Sequence, residues 1–170
     1  AGNTGETISA TASGQPILLL DDADFVIVDG RPGGVGSAAD LTFENLATTS
    51  SSFTFRLLNG ATNNSIRYCI IKNNTMNVAG PRAIEIGTSV SNPTGNSDNL
   101  IEDNEIIGGR SCIGLAGTSA NPNLNTTIRN NIISNFGYAG VWVLSSSSNI
   151  LIEGNEIFQT MGYNTTSFGI

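Results

Sequence analysis

Histidine is absent from the 170 residues, and lysine occurs once, at Lys72. Without histidine, no Ser-His-Asp or Cys-His nucleophile, no imidazole general base and no ordinary His-containing zinc site can be assembled. Charged residues are scarce too: at 12% they stand at about half their usual share. Fourteen acids against seven bases leave a net charge of −7, which argues against an electrostatic grip on nucleic acid or anionic lipid. No apolar run approaches a membrane span, and none reads as a signal peptide. The two cysteines, Cys69 and Cys112, lack CxxC spacing and are too few for a disulfide scaffold. They read as free, buried thiols, with a bridge between them as the alternative.

Asparagine (21) and glycine (20) are abundant, and much of the asparagine falls into a repeat. Ile66-Arg67-Tyr68-Cys69-Ile70-Ile71, Ile101-Glu102-Asp103-Asn104-Glu105-Ile106, Ile128-Arg129-Asn130-Asn131-Ile132-Ile133 and Ile152-Glu153-Gly154-Asn155-Glu156-Ile157 share one pattern. It runs Ile, charge, two turn-like residues ending mostly in Asn, a variable residue, then Ile. The first isoleucines lie 35, 27 and 24 residues apart. A second ladder interleaves, with anchors Phe55, Ile84, Ile113, Val141 and Phe168 spaced by 29, 29, 28 and 27. The segments are short, β-branched and bounded by Asn, Gly, Ser and Thr, which reads as strands; no helical period persists over three turns.

Strand, turn, strand and loop, repeated every 27 or so residues, describe one coil of a solenoid whose apolar face is buried only by stacking. Parallel stacking sets equivalent residues about 4.7–4.9 Å apart. In that register Arg67, Glu102, Arg129 and Glu153 alternate in sign, as a solvent-facing row prefers. Asn104, Asn131 and Asn155 share one turn position, with Cys69 in the earliest coil, and are read as a structural ladder bonding from coil to coil.

Ile150-x-Ile152-x-x-Asn155-x-Ile157 also matches the strand half of a leucine-rich repeat. Ser147 stands where that pattern requires Leu, however, and the other half reads Ala-Gly-Val-Trp-Val followed by four serines. Segments such as Ser97-Asp98-Asn99-Leu100-Ile101-Glu102-Asp103-Asn104-Glu105-Ile106-Ile107-Gly108 resemble the repeats of the pectin-lyase-like superfamily. Phe25-Val26-Ile27-Val28-Asp29-Gly30-Arg31 resembles an early coil of such proteins. The fold expected is all-β: a right-handed parallel β-helix solenoid of about five to six coils, the hand following the crossover rule. One domain spans 1–170: an irregular first coil or cap at 1–24 with a strand at Ile17–Leu20, an early coil at 25–52, and regular coils over 53–170. Ser167–Ile170 aligns with Gly140–Val143, leaving an open C-terminal end. The expectation is a piece of a longer chain, with the rest of that chain as its partner.

The superfamily includes lyases, hydrolases, esterases, epimerases and adhesins, so the resemblance specifies fold more than chemistry. A polygalacturonase-like site requires a histidine that is missing. A pectate-lyase-like site implies calcium held by acids, with Asp21, Asp22 and Asp24 as candidates. It also requires a base, with Arg31, Lys72 and Arg82 as candidates and Asp29 as a candidate acid. Glu102, Asp103, Glu105, Glu153 and Glu156 form another acidic concentration, which Arg129 would neutralise. Trp142 alternates with Val141 and Val143 and so faces outward if they face inward, making it, with Tyr138, a candidate carbohydrate platform; Tyr68 and Tyr163 are further aromatics. The reading is a non-catalytic extracellular or cell-surface module that binds polysaccharide or adheres. The alternative is a calcium-dependent polysaccharide lyase. No nucleic-acid partner is expected.

Overall fold

Short β-branched runs, broken by Asn, Gly and Ser, cannot sustain a helix, and the chain winds into successive coils of parallel strands. The computed structural model describes residues 5–75, 79–87, 95–144, 146–160 and 168–170. The first coil holds β1 (Glu6–Ala10), β2 (Pro16–Asp21) and β3 (Ile27–Asp29), and the second β4 (Leu41–Asn45), β5 (Phe53–Leu58) and β6 (Ser65–Arg67). The third holds β7 (Cys69–Asn73), β8 (Arg82–Gly87) and β9 (Leu100–Glu102). In the fourth, β10 (Glu105–Gly108), β11 (Ser111–Ala116), the two-residue β12 (Asn123–Leu124) and β13 (Thr127–Arg129) follow. The fifth repeats this with β14 (Ile132–Ser134), β15 (Ala139–Val143), β16 (Ser147–Ser148) and β17 (Leu151–Glu153), and β18 (Glu156–Phe158) opens a sixth.

Equivalent strands stack into three long parallel sheets. Face A runs β1-β4-β7-β10-β14-β18, face B β2-β5-β8-β11-β15, and face C β3-β6-β9-β13-β17. Each coil thus has three long-sheet strands where the sequence suggests two. The Ile-charge-turn-Ile segment is itself two strands on different faces, bent where Tyr68, Asp103, Asn130 and Gly154 turn with φ of 52–63°. Residues 6–29 carry β1–β3 in parallel register with β4–β6, with the strand expected at Ile17–Leu20 lying inside β2. A second departure lies at the far end: Phe168 bridges Ala139, two residues from the Val141 rung of the sequence alignment. Ser167 lies outside the described residues.

The core is built from stacked rows. Phe43, Ile71, Ile106, Ile133 and Ile157 line the inside of face A. Phe55, Ile84, Ile113 and Val141 line face B, and Val28, Ile66, Ile101, Ile128 and Ile152 line face C. Most are fully buried, each stabilising by about 1.5–3 kcal/mol. Outside face C, Asp29, Arg67, Glu102, Arg129 and Glu153 form one row of alternating sign, with Asp29 added to the four charges legible in sequence.

The short corner from face C to face A carries the asparagine ladder. Asn131 Oδ1 accepts from the backbone N–H and Nδ2 of Asn104, both at 3.0 Å, and Asn155 Oδ1 accepts the same pair from Asn131 at 2.9 Å. Asn104 Oδ1 in turn accepts the Cys69 N–H at 3.0 Å. Sequence reading overlooked two more buried steps of this kind: Asn64 bonds to Asn99 and Asn96 to Asn123, both between faces B and C.

Candidate functional site

Outward positions on face B are decided by the same register that fills the core. Because Phe55, Ile84, Ile113 and Val141 point in, the next residues form an outer row: Leu19, Arg56, Glu85, Gly114 and Trp142. On β8 both Ala83 and Ile84 are buried, so Arg82 and Glu85 come together on the outer side. Arg82 Nη1 donates to Glu85 Oε1 at 2.5 Å. Nε of Arg56 lies 2.7 Å from Glu85 Oε2, an ion contact too bent for a hydrogen bond. Gly114 leaves room for Arg82: a Cβ there would overlap Cδ and Nε of the arginine.

Aromatic rings continue the strip. The Arg82 guanidinium lies 5.6 Å from the Trp142 ring centroid, and Arg56 packs 4.4 Å over Phe53. Trp142 meets Tyr138 at 5.2 Å and a 56° tilt, Tyr138 meets Phe168 at 5.5 Å, and Arg110 stacks 4.8 Å over Tyr138. A shallow depression of about 290 Å³ beside Trp142 is lined by Tyr138, Val143, Phe168 and Ile170. Three of the chain's six arginines thus share one face with its single tryptophan. Planar rings beside guanidinium donors suit a ligand with both apolar faces and hydroxyls, which is the chemistry of sugar.

The remaining candidates lie elsewhere. Asp29 and Arg31 sit at the corner leaving face C. Arg31 donates from Nε and Nη2 to the two Asp29 oxygens at 2.9 and 2.6 Å, and Arg67 adds a third contact at 3.0 Å. These arginines, Arg31 foremost, hold the Asp29 carboxyl far below the usual carboxylate range. Arg31 also covers the Tyr68 ring at 4.1 Å, and a hydrogen bond to Asp103 pushes the Tyr68 phenol up. The structure therefore does not join Asp29 and Arg31 to Arg82, which belongs to face B. Asp21 accepts from Asn59 Nδ2 at 2.5 Å, and Asp24 from the Thr62 N–H and hydroxyl at 2.9 and 2.6 Å. These bonds to Thr62 lower the Asp24 carboxyl, and among the described residues no three acids or thiols, Asp22 included, gather into a metal-sized cluster. Arg129 Nη2 pairs with Glu102 at 2.7 Å. Both thiols are free and buried, and burial pushes Cys69 up to about 12. Tyr163 lies outside the described residues.

Sequence reading singled out Trp142, Tyr138 and Arg82 but missed Arg56, Glu85 and Arg110 as their neighbours. The signal was present for two of them, since Arg56 and Glu85 each follow a ladder anchor, as Trp142 does. Arg110 precedes its strand and has no such marker.

No curated protein and no solved structure matches the chain. The family model described as right handed beta helix region matches residues 29–168, which is compatible with the pectin-lyase-like resemblance. With that match covering most of its length and every long sheet parallel, the chain belongs to the right-handed β-helix family.

Proposed function

We propose that this β-helix is a non-catalytic, extracellular module that binds polysaccharide along the outside of face B. The observation that carries this reading is the continuous strip from Arg56 through Glu85 and Arg82 to Trp142, Tyr138 and Arg110. Coils repeat about every 4.8 Å, so the strip runs along the solenoid axis and suits an extended chain of sugars better than one small molecule. A near absence of lysine and Ser/Thr/Asn-rich turns accord with a surface role. The lyase reading is weaker, because two of its three candidate bases, Arg31 and Arg82, are already paired to carboxylates, and the third, Lys72, lies on β7 of face A, apart from both.

Affinity electrophoresis against a polysaccharide panel tests the proposal. Retardation by at least one polymer is expected, with loss of about tenfold or more in affinity on Trp142→Ala. Retardation by none, or retardation indifferent to Trp142→Ala, would remove the proposal. Accumulation of unsaturated, ultraviolet-absorbing products in the presence of calcium, abolished by Arg82→Ala, would replace it with the lyase.

A further inference from the structure

Building on that polysaccharide reading, we infer that Glu85 decides which glycans the strip accepts. It is an acid of the protein's own, seated between two guanidiniums where a ligand's carboxylate would otherwise bind, and it turns the strip toward uncharged sugar. Glu85 is only 7% exposed. One oxygen takes Arg82 at 2.5 Å and the other faces Arg56 at 2.7 Å, so a single carboxylate occupies both cations. Each guanidinium is also packed on a ring, Arg56 on Phe53 and Arg82 on Trp142, and the Arg82 stem is confined over Gly114.

An acidic sugar approaching Arg56 or Arg82 finds each already facing the Glu85 carboxylate beneath it. To bind there, it must displace an ion pair already largely removed from water, and at those two arginines it gains no pair that was not there before. Repulsion of one ligand class by a fixed like charge is a recognised route to specificity. A neutral sugar meets no such cost. It needs ring faces, which Trp142 and Tyr138 supply, and hydrogen-bond donors, which Arg110 supplies from above Tyr138. Among the described residues, Arg110 is in no ion pair.

The test uses the fluorescence of Trp142, the chain's one tryptophan. The whole chain is titrated with a neutral β-glucan oligosaccharide and with an oligogalacturonate of equal length. The wild type should bind the neutral probe more tightly. Glu85→Gln should raise oligogalacturonate affinity by about tenfold or more, with steeper salt dependence, and so reverse or erase the preference for the neutral probe. Glu85→Asp serves as a second variant that keeps the negative charge. It should retain the preference for the neutral probe, because a carboxylate still occupies the arginines. A wild type that prefers oligogalacturonate, a Glu85→Gln variant with unchanged selectivity, or a Glu85→Asp variant that takes oligogalacturonate as Glu85→Gln does would each overturn the inference while leaving polysaccharide binding intact. Silence toward both probes, with no retardation by any polymer, would overturn both readings.

Discussion

Replacing Asn131 by alanine tests the ladder at its best-connected rung. The side chain is 1% exposed. Its Nδ2 donates to Ile101 O, Arg129 O and Asn155 Oδ1, and its Oδ1 accepts two bonds from Asn104. Truncation leaves the Asn104 backbone N–H without its acceptor and the Ile101 carbonyl without this donor. Asn104 Nδ2 keeps Ile66 O, and Asn155 Oδ1 keeps the Asn131 N–H. The Ile101 carbonyl keeps the Arg129 N–H in the sheet ladder, so one newly stranded buried N–H puts the loss at about 1–3 kcal/mol. In a domain of this size that lowers Tm by roughly 2–12 °C. Ser13→Ala is the control: this exposed hydroxyl shares one 2.8 Å bond with Thr49, and its loss should cost under about 0.5 kcal/mol. Urea unfolding of both variants followed by circular dichroism provides the comparison. If Asn131→Ala and Ser13→Ala shift the midpoint equally, the buried amides are not what fixes the corner, and the reasoning fails.

Other consequences follow from the same geometry. Gly114→Ala should push Arg82 off the outer row, shift Trp142 emission and destabilise by about 1–2 kcal/mol; an unchanged spectrum and midpoint would show that Arg82 does not rest there. Asp29 is held below its unfolded pKa by Arg31 and Arg67, so the unfolded chain takes up the proton first. Its contribution is complete above the unfolded carboxyl pKa of about 3.9 and is lost as pH falls toward the folded value. Asp29→Asn should therefore be less stable than wild type at neutral pH and converge with it in acid. Parallel stability curves down to low pH would contradict the assignment.

The fold was legible because a solenoid writes its register into the chain. A residue stacked on its equivalents in neighbouring coils must suit the same site, so the isoleucines at 66, 101, 128 and 152 recur, and the charges beside them alternate. The third sheet was harder to see, since a corner of one or two residues leaves no gap in the apolar pattern. Tyr68 hides the first such corner altogether: an aromatic residue at φ 52° is not an ordinary turn signal. The first coil was obscured for another reason. Glu-Thr-Ile-Ser-Ala of β1 holds one large apolar residue, Ile8, too little of the alternation that marks a strand.

The site was less legible, and the cause is physical. Core rows are constrained by repetition, whereas an outer row such as Leu19, Arg56, Glu85, Gly114 and Trp142 is free to change at every coil. No repeat marks it, and only the registration of the inward anchors shows that these residues are neighbours. Glu85 illustrates the point. In sequence it sits in Arg82-Ala83-Ile84-Glu85-Ile86 as an ordinary strand charge, yet its closest partners include Arg56, twenty-nine residues away and one coil below. A second guanidinium on the same carboxylate, with rings packed on both cations, concentrates charge and aromatic surface on one side of a chain poor in both. Such concentration costs side-chain entropy that the stacked core does not require. The Asp29, Arg31 and Arg67 cluster of face C has one ring, Tyr68, whereas the face B strip runs on through Trp142, Tyr138 and Phe168, which is why binding is to be sought on face B.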